Sequence, residues 1–272
     1  AKADSKVGGS VGIGASVALN ISNNLTVAEV SDGVLLTGAH DVLLSAASDN
    51  TLTTTAKAGG AAGGGGGIGI GGAISLAVAA NTTRAVIGSP RVAETLSVSG
   101  RLNAEAKHKG VANTLADGSA SGAAAGIGIA LGMNVVTDIT TATTRRAINA
   151  AGDLGFIAHN ASASSVESKA SAAGGEGEEQ NGSSQDGVDQ QIGAQKGLAD
   201  KKAGEGGTTG TGSTAPPKAE SSQGGVSVAG AVAVNLSVSQ ALAYIPDNGV
   251  VSSGGLLTLS ASNNTDGVAK AD

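Results

Sequence analysis

The residues of this chain that could do acid–base chemistry are three histidines, at positions 40, 108 and 159, and a set of aspartates, Asp32, Asp41, Asp49, Asp138 and Asp153. A histidine that activates a nucleophile needs a Ser or Cys within hydrogen-bond reach and a third group to orient its ring. His108 and His159 sit near equivalent positions of a repeat, yet neither has a Ser, Cys or carboxylate partner at a nucleophile's characteristic spacing. No His-x-His or His-x-x-x-His pair is present to hold zinc. All three read as surface turn residues. Polysaccharide-cleaving chemistry asks for two carboxylates held within about 10 Å of each other. Stacked turns could provide that, but carbohydrate clefts also want aromatic platforms, and Phe156 and Tyr244 are the only aromatics. The expectation is a protein without a catalytic site and without a cofactor. Calcium is the remaining ligand to weigh. Asp49-Asn50, Asp247-Asn248 and the Asp266 segment (Asn264-Thr265-Asp266-Gly267) offer hard oxygen donors in expected turns, so Asp49, Asp247 and Asp266 are weak calcium candidates. The nine-residue glycine–aspartate repeat of calcium β-rolls is missing, and Asx residues are ordinary in turns without any ion.

These residues must be positioned by an unusual material. The chain has 45 Gly, one Phe, one Tyr and no Trp, so any core is built from small, regular layers rather than aromatic bulk. Only 4 Pro and no strict every-third Gly exclude a collagen helix. There is no Cys, which removes disulfides and thiolate metal sites. A net charge of −6 argues against a nucleic-acid partner. No apolar run reaches the roughly 18 residues of a membrane span without heavy glycine dilution.

What organises the chain is a repeat. The run Val11-Gly12-Ile13-Gly14 returns as Ile68-Gly69-Ile70-Gly71, Ile127-Gly128-Ile129-Ala130 and Val226-Ser227-Val228-Ala229, at spacings of 57, 59 and 99 residues. The long last interval holds a polar segment, 174–223, rich in Gly, Ser, Gln and Glu, which predicts a disordered loop. Six residues after each run a second begins, at Val17, Ile74, Met133 and Val232, with large residues on alternate positions as in a half-buried strand. A third strand follows at 26–30, 83–87, roughly 143–148 and 241–245. A fourth aligns Leu43, Leu102, Leu154 and Leu257, and four residues on Ala47, Ala106, Ala158 and Ala261, as core positions. Two residues beyond stand the polar Asp49, His108, Asn160 and Asn263. Asn24 and Asn81 share a position with Thr140 and Ser239, which suggests a stacked polar ladder. The end, Ala269-Lys270-Ala271-Asp272, repeats the opening Ala1-Lys2-Ala3-Asp4, as in a segment cut in phase from an array.

The expected fold is all-β: a right-handed parallel β-helix, or solenoid, of about four repeats of about 58 residues. Its divisions are 1–60, 61–118, 119–173, the insertion 174–223, and 224–272. With strands of about five residues and about 20 residues per coil, each repeat would make about three coils, giving about eleven in a rod about 50 Å long. Gly-rich runs such as Gly63–Gly67 belong to a tight corner, to a coil too narrow for side chains, or to a hinge.

The fullest unit reads Ala231-Val232-Ala233-Val234-Asn235, then Ala243-Tyr244-Ile245, then Leu257-Thr258-Leu259-Ser260-Ala261. This order resembles the repeat of very large bacterial exoproteins of the fusobacterial leukotoxin type and, more distantly, the filamentous-haemagglutinin type. The Tyr position departs from it in other copies, being Glu29 in the first and Val86 in the second. The resemblance implies a β-helical shaft on a secreted or surface-anchored bacterial protein, and carries no toxin activity onto any residue. The expected partners are neighbouring repeats, end-to-end copies of the chain, and a host or matrix surface. The alternatives to a shaft are a binding module working through its turns or the 174–223 insertion, and a polysaccharide-active enzyme.

Overall fold

In a computed structural model the described residues are 2–7, 10–63, 66–90, 94–174 and 226–272. The expected disordered insertion therefore lies, apart from Gly174, outside the described residues. The structure is all-β and every strand pairing is parallel, as a β-helix requires. Among the described residues twelve strands run in chain order: β1 (Lys2–Val7), β2 (Val11–Val30), β3 (Val42–Ala62), β4 (Ile68–Ile87), β5 (Leu96–Val98), β6 (Leu102–Gly122), β7 (Ala125–Thr144), β8 (Ile148–Ala150), β9 (Leu154–Gly174), β10 (Val226–Tyr244), β11 (Val251–Ser253) and β12 (Leu257–Ala271). They form three sheets, ordered β1-β3-β6-β9-β12, β10-β7-β4-β2 and β11-β8-β5.

The coil is larger than expected, and there are fewer of them. One repeat makes one coil, not three. Each coil is a flattened loop of two long strands, of about 20 residues, lying face to face, and coils two to four add a three-residue strand at one end. The second and third expected strands are one continuous strand, because the polar residues between them (Asn24, Asn81, Asp138, Ser239) turn inward and hydrogen-bond instead of breaking the ladder. Four coils give a plate about 66 Å along the strands and roughly 19 Å across the stack, in place of a 50 Å rod.

Register also differs from the sequence alignment. Val11 stacks on Ile68, Ile68 on Ala125 and Ala125 on Val226, so the third copy is displaced by two residues and Leu131, not Met133, lies on Ile74. A period-two pattern looks the same two residues along, so only pairing decides it. In the first copy the slip is one residue. Val42 pairs with Leu102, which turns Leu43 (68% exposed) and Ala47 outward and makes Leu44 and Ala46 the core residues. Leu102, Leu154, Ala106 and Ala158 are buried as expected. Leu257 and Ala261 keep the expected register on Leu154 and Ala158, but they are exposed because, among the described residues, no further strand pairs with β12. The matching ends are two residues out of stacking phase: Lys2 lies in the column of Lys57, Asp117 and Lys169, whereas Lys270 lies on Glu167.

The interior tapers. At the end with the short strands it holds Phe156, Ile87, Leu96, Val98, Leu102, Ile148 and Leu154. Along the coil it narrows to an alanine layer of Ala56, Ala58, Ala73, Ala116 and Ala130, and then to glycine. A methyl group on Gly12 would overlap the Ala61 carbonyl, one on Gly71 the Ser119 carbonyl and one on Gly128 the Ser171 carbonyl. The facing backbones thus approach closer than the roughly 10 Å of side-chain-filled sheets. The alternating strand glycines thus line a narrow coil, whereas the run Gly63–Gly67 falls between β3 and β4, with residues 64 and 65 outside the described residues.

This thinness reverses the expected direction of the large residues. In β2 the series Gly12, Gly14, Ser16, Ala18, Asn20 faces inward, and Val11, Ile13, Val17, Leu19 and Ile21 face outward. Only the small series fits between the sheets. Ala substitutions at adjacent glycines separate the two faces. Gly71→Ala drives a methyl into backbone and is expected to lower stability by more than about 2 kcal/mol. Gly72→Ala meets nothing within 4 Å and is expected to be neutral or to stabilise by about 0.5 kcal/mol. Urea midpoints measure both, and equal effects would contradict the narrow interior.

Candidate functional site

Between the large-residue end and the alanine layer, the inward positions turn polar in every coil. β2, β4, β7 and β10 contribute Asn24, Asn81, Asp138 and Ser239 in one column. β3, β6, β9 and β12 contribute Ser48, His108, Asn160 and Asn263 in the facing one. Both differ by one member from the sequence alignment. Asp138 stands where Thr140 was expected, since Thr140 stacks on Thr83, and Ser48 stands where Asp49 was expected.

The two columns are joined into a hydrogen-bonded spine. Asn24 Nδ2 donates to Asn81 Oδ1 (2.7 Å), and Asn81 Nδ2 donates to Asp138 Oδ1 (2.7 Å). Ser162 donates to Asp138 Oδ2, and Asn160 donates to Ser239 and to Asn263. Ser48 Oγ lies 2.7 Å from His108 Nδ1 and 2.6 Å from Thr83 Oγ1. His108 Nε2 approaches Asp138 Oδ1 at 3.3 Å, outside well-aligned hydrogen-bond geometry, and has no other partner, so their contact is chiefly electrostatic. The side chains of both are fully buried. A Cβ at Gly110 would lie 2.8 Å from His108 Nε2 and 3.3 Å from Asp138 Oδ2, so the missing side chain there makes room for the pair. A second polar column lies deeper along the taper. Asn134 Nδ2 donates to Ser165 O (3.0 Å) and Ser164 Oγ (3.2 Å), and Ser164 donates to Asn235 Oδ1 (2.6 Å).

The expectation that His108 has no serine or carboxylate partner is therefore overturned. It has both, and His159 likewise lies 2.6 Å from Ser262 Oγ. Stacking supplied them: Ser48 and His108 are 60 residues apart, and His159 and Ser262 are 103 apart. Local spacing cannot reveal such partners. The signal that could have found them is the coil period itself, applied to polar residues as it was to apolar ones. His108 is also not the surface turn residue expected, but an inward residue of a strand.

A serine, a histidine and an aspartate in sequence invite comparison with a hydrolytic triad, but their surroundings fit structure better. Ser48 Oγ is already engaged by Thr83, and the imidazole and carboxylate have no exposed surface. A cavity of about 300 Å³ lies alongside, lined by Asn24, Asn50, Asn81, Gly110, Ala112 and Val136 among others, with neither Ser48 nor His108 in its wall. A substrate there would not touch the candidate nucleophile.

The remaining aspartates fasten one coil to the next. Asp32 Oδ1 accepts from Ser89 N (2.6 Å), Asp41 Oδ1 from Arg101 N (2.8 Å) and Asp153 Oδ1 from Leu256 N (2.7 Å). The backbone hydrogen bond from Arg101 holds the Asp41 carboxyl below its usual range. Of the calcium candidates, Asp247 lies in a turn closed by Gly249 N and Pro246 O (2.9 Å). Asp49 and Asp266 are instead outward strand residues of β3 and β12, because their neighbours pair with the next coil. Asp49 and Asp266 are three strands apart in the sheet, roughly 14 Å, and cannot share an ion. Asp49 lies 3.7 Å from Lys109. Among the described residues no three His, Asp or Glu come together as a metal cluster, and no helix is long and apolar enough to cross a membrane.

Burial alone would push the Asp138 carboxyl up, but the polar contacts of His108, Ser162 and Asn81 outweigh it and hold the group below its ordinary value of 3.8. A folded-state value below the unfolded one means stability that is complete above the unfolded value and lost as pH falls through the folded one. Asp138→Asn is expected to lower stability by about 1–3 kcal/mol at neutral pH, with the two urea-midpoint curves converging in acid. A gap that stays constant into strong acid would remove the carboxylate's charge from the account. No family model, curated protein or solved structure matches this chain.

Proposed function

We propose that this chain is a segment of a non-catalytic structural shaft in a very large secreted or cell-surface bacterial protein. The observation that carries the reading is the stacking of one coil four times with its polar and apolar columns in register. The residues with chemical potential are spent within that stack, His108 and Asp138 inside it and Asp32, Asp41 and Asp153 clasping successive coils. The exoprotein-like motifs support the secreted setting, since Val232, Val234, Tyr244, Leu257 and Leu259 are all residues of the coil strands. Mechanically such a stack lengthens by about 4.8 Å per coil at constant cross-section.

Two copies joined head to tail test this. Small-angle scattering is expected to show one continuous plate about twice as long along the stacking axis and no thicker. Two separately tumbling bodies would overturn it. In the parent protein, deletion of 175–225 is expected to leave adhesion to host or matrix unchanged. Loss of adhesion would favour a binding module, and turnover of uronate polymers an enzyme.

A further inference from the structure

The two broad faces of the plate differ sharply. The β3-β6-β9-β12 face carries outward Glu105, Lys107, Lys109, Asp49, Lys57, Asp117, Glu167, Lys169 and Lys270, paired into contacts such as Lys107–Glu105 (2.6 Å) and Lys169–Glu167 (3.1 Å). The β10-β7-β4-β2 face carries aliphatic residues. Val17, Leu19, Ile21, Ile74, Ile129, Val232, Val234 and Leu236 are between 42% and 69% exposed on it. Among the described residues, Glu29 and Arg84, toward the short-strand end, are the only outward charges of these four strands, because the third charged residue, Asp138, faces inward.

We propose that this aliphatic face docks against the same face of a second copy of the chain, making a four-layered assembly of two plates. The size of the face argues for it. Four strands at about 4.8 Å spacing, with every outward residue from the column of Val11 to that of Ile21 apolar, present roughly 750 Å² over about 40 Å of their length. That exceeds the roughly 300–600 Å² of the largest apolar patch on ordinary monomers and comes close to the roughly 800 Å² per partner of a stable interface. The shape argues for it too, since a sheet with regular outward rows of Val, Ile and Leu is a natural partner for another such sheet. A lipid surface is the weaker occupant: membrane-binding faces are rimmed by many Lys and Arg, and the four described strands of this one carry Arg84 alone, with Arg145 just beyond β7 facing Asp32 at 3.8 Å. The contact is distinct from end-to-end stacking, which uses the open strand edges.

Sedimentation of the full chain at micromolar concentration is expected to show a dimer. Ile74→Lys with Ile129→Lys, on the two inner strands, is expected to weaken it at least about 100-fold, since each copy would bury unpaired charges, with circular dichroism unchanged. The chain has no cysteine, so single cysteines report which faces meet. A bismaleimide is expected to join copies through Ala80→Cys on the aliphatic face and not through Asn113→Cys on the charged one. This comparison stands even if the lysine variant misfolds. A chain monomeric at all concentrations, a dimer indifferent to the lysines, or linkage through Asn113→Cys would each overturn the proposal. So would binding of the monomer to phosphatidylcholine vesicles, which gives the face to lipid. Dimerisation appearing only after deletion of 175–225 would give it to the insertion.

Discussion

The distance between the two long sheets governs this protein. At the glycine end the facing backbones come so close that a single methyl group at Gly12, Gly71 or Gly128 has no room. The inner series of each strand is accordingly mostly Gly, Ala, Ser, Thr and Asn, with Leu52, Val136, Val166, His108 and Asp138 as its larger members, until the taper opens on Phe156 and its neighbours. A core this thin buries little apolar area per residue, and hydrophobic stabilisation scales with that area. Cohesion therefore falls more heavily on the parallel ladders between coils, along strands of about 20 residues, than in a protein with a bulky interior.

Polar columns inside such a stack follow from the same restriction. Asn, Ser and Thr are compact enough to fit where Leu is not, and a parallel in-register stack places each above its counterpart, where amide donor meets carbonyl acceptor. Asn24, Asn81 and Asp138 are linked in this way across three coils. His108 is the largest member, and Gly110 beside it supplies its space. A buried polar group without partners would cost stability. The spine is thus as much a condition of register as a consequence of it: a one-residue slip would set these side chains in solvent and bring aliphatics into a gap that cannot hold them.

That restriction also produces the asymmetry of the surface. Large aliphatics excluded from the interior fall mostly on the outer side of β2, β4, β7 and β10, while the opposite outer face takes most of the charges with a few aliphatics such as Leu43 and Val268. The plate has a soluble side and an apolar side.

Much of this was open to reading from residues alone. Glycine abundance, alternation at period two, a repeat near 57 residues and the scarcity of aromatics point to a parallel stacked β fold, because small and β-branched residues on pleated strands pack closely on identical neighbours. Leu102, Leu154, Ala106 and Ala158 were recognisable as core for the same reason. Three things were decided only by tertiary structure. Pairing set the register, since a two-residue pattern is blind to shifts of two and Leu43 differs from Leu44 only in its partner across the ladder. Strand length was hidden, since Asn24 and Asp138 resemble breaks until a neighbouring coil satisfies them. The partners of His108 and the inward or outward sense of Val17 and Leu19 depend on contacts 60 residues away and on a sheet separation that no single strand encodes.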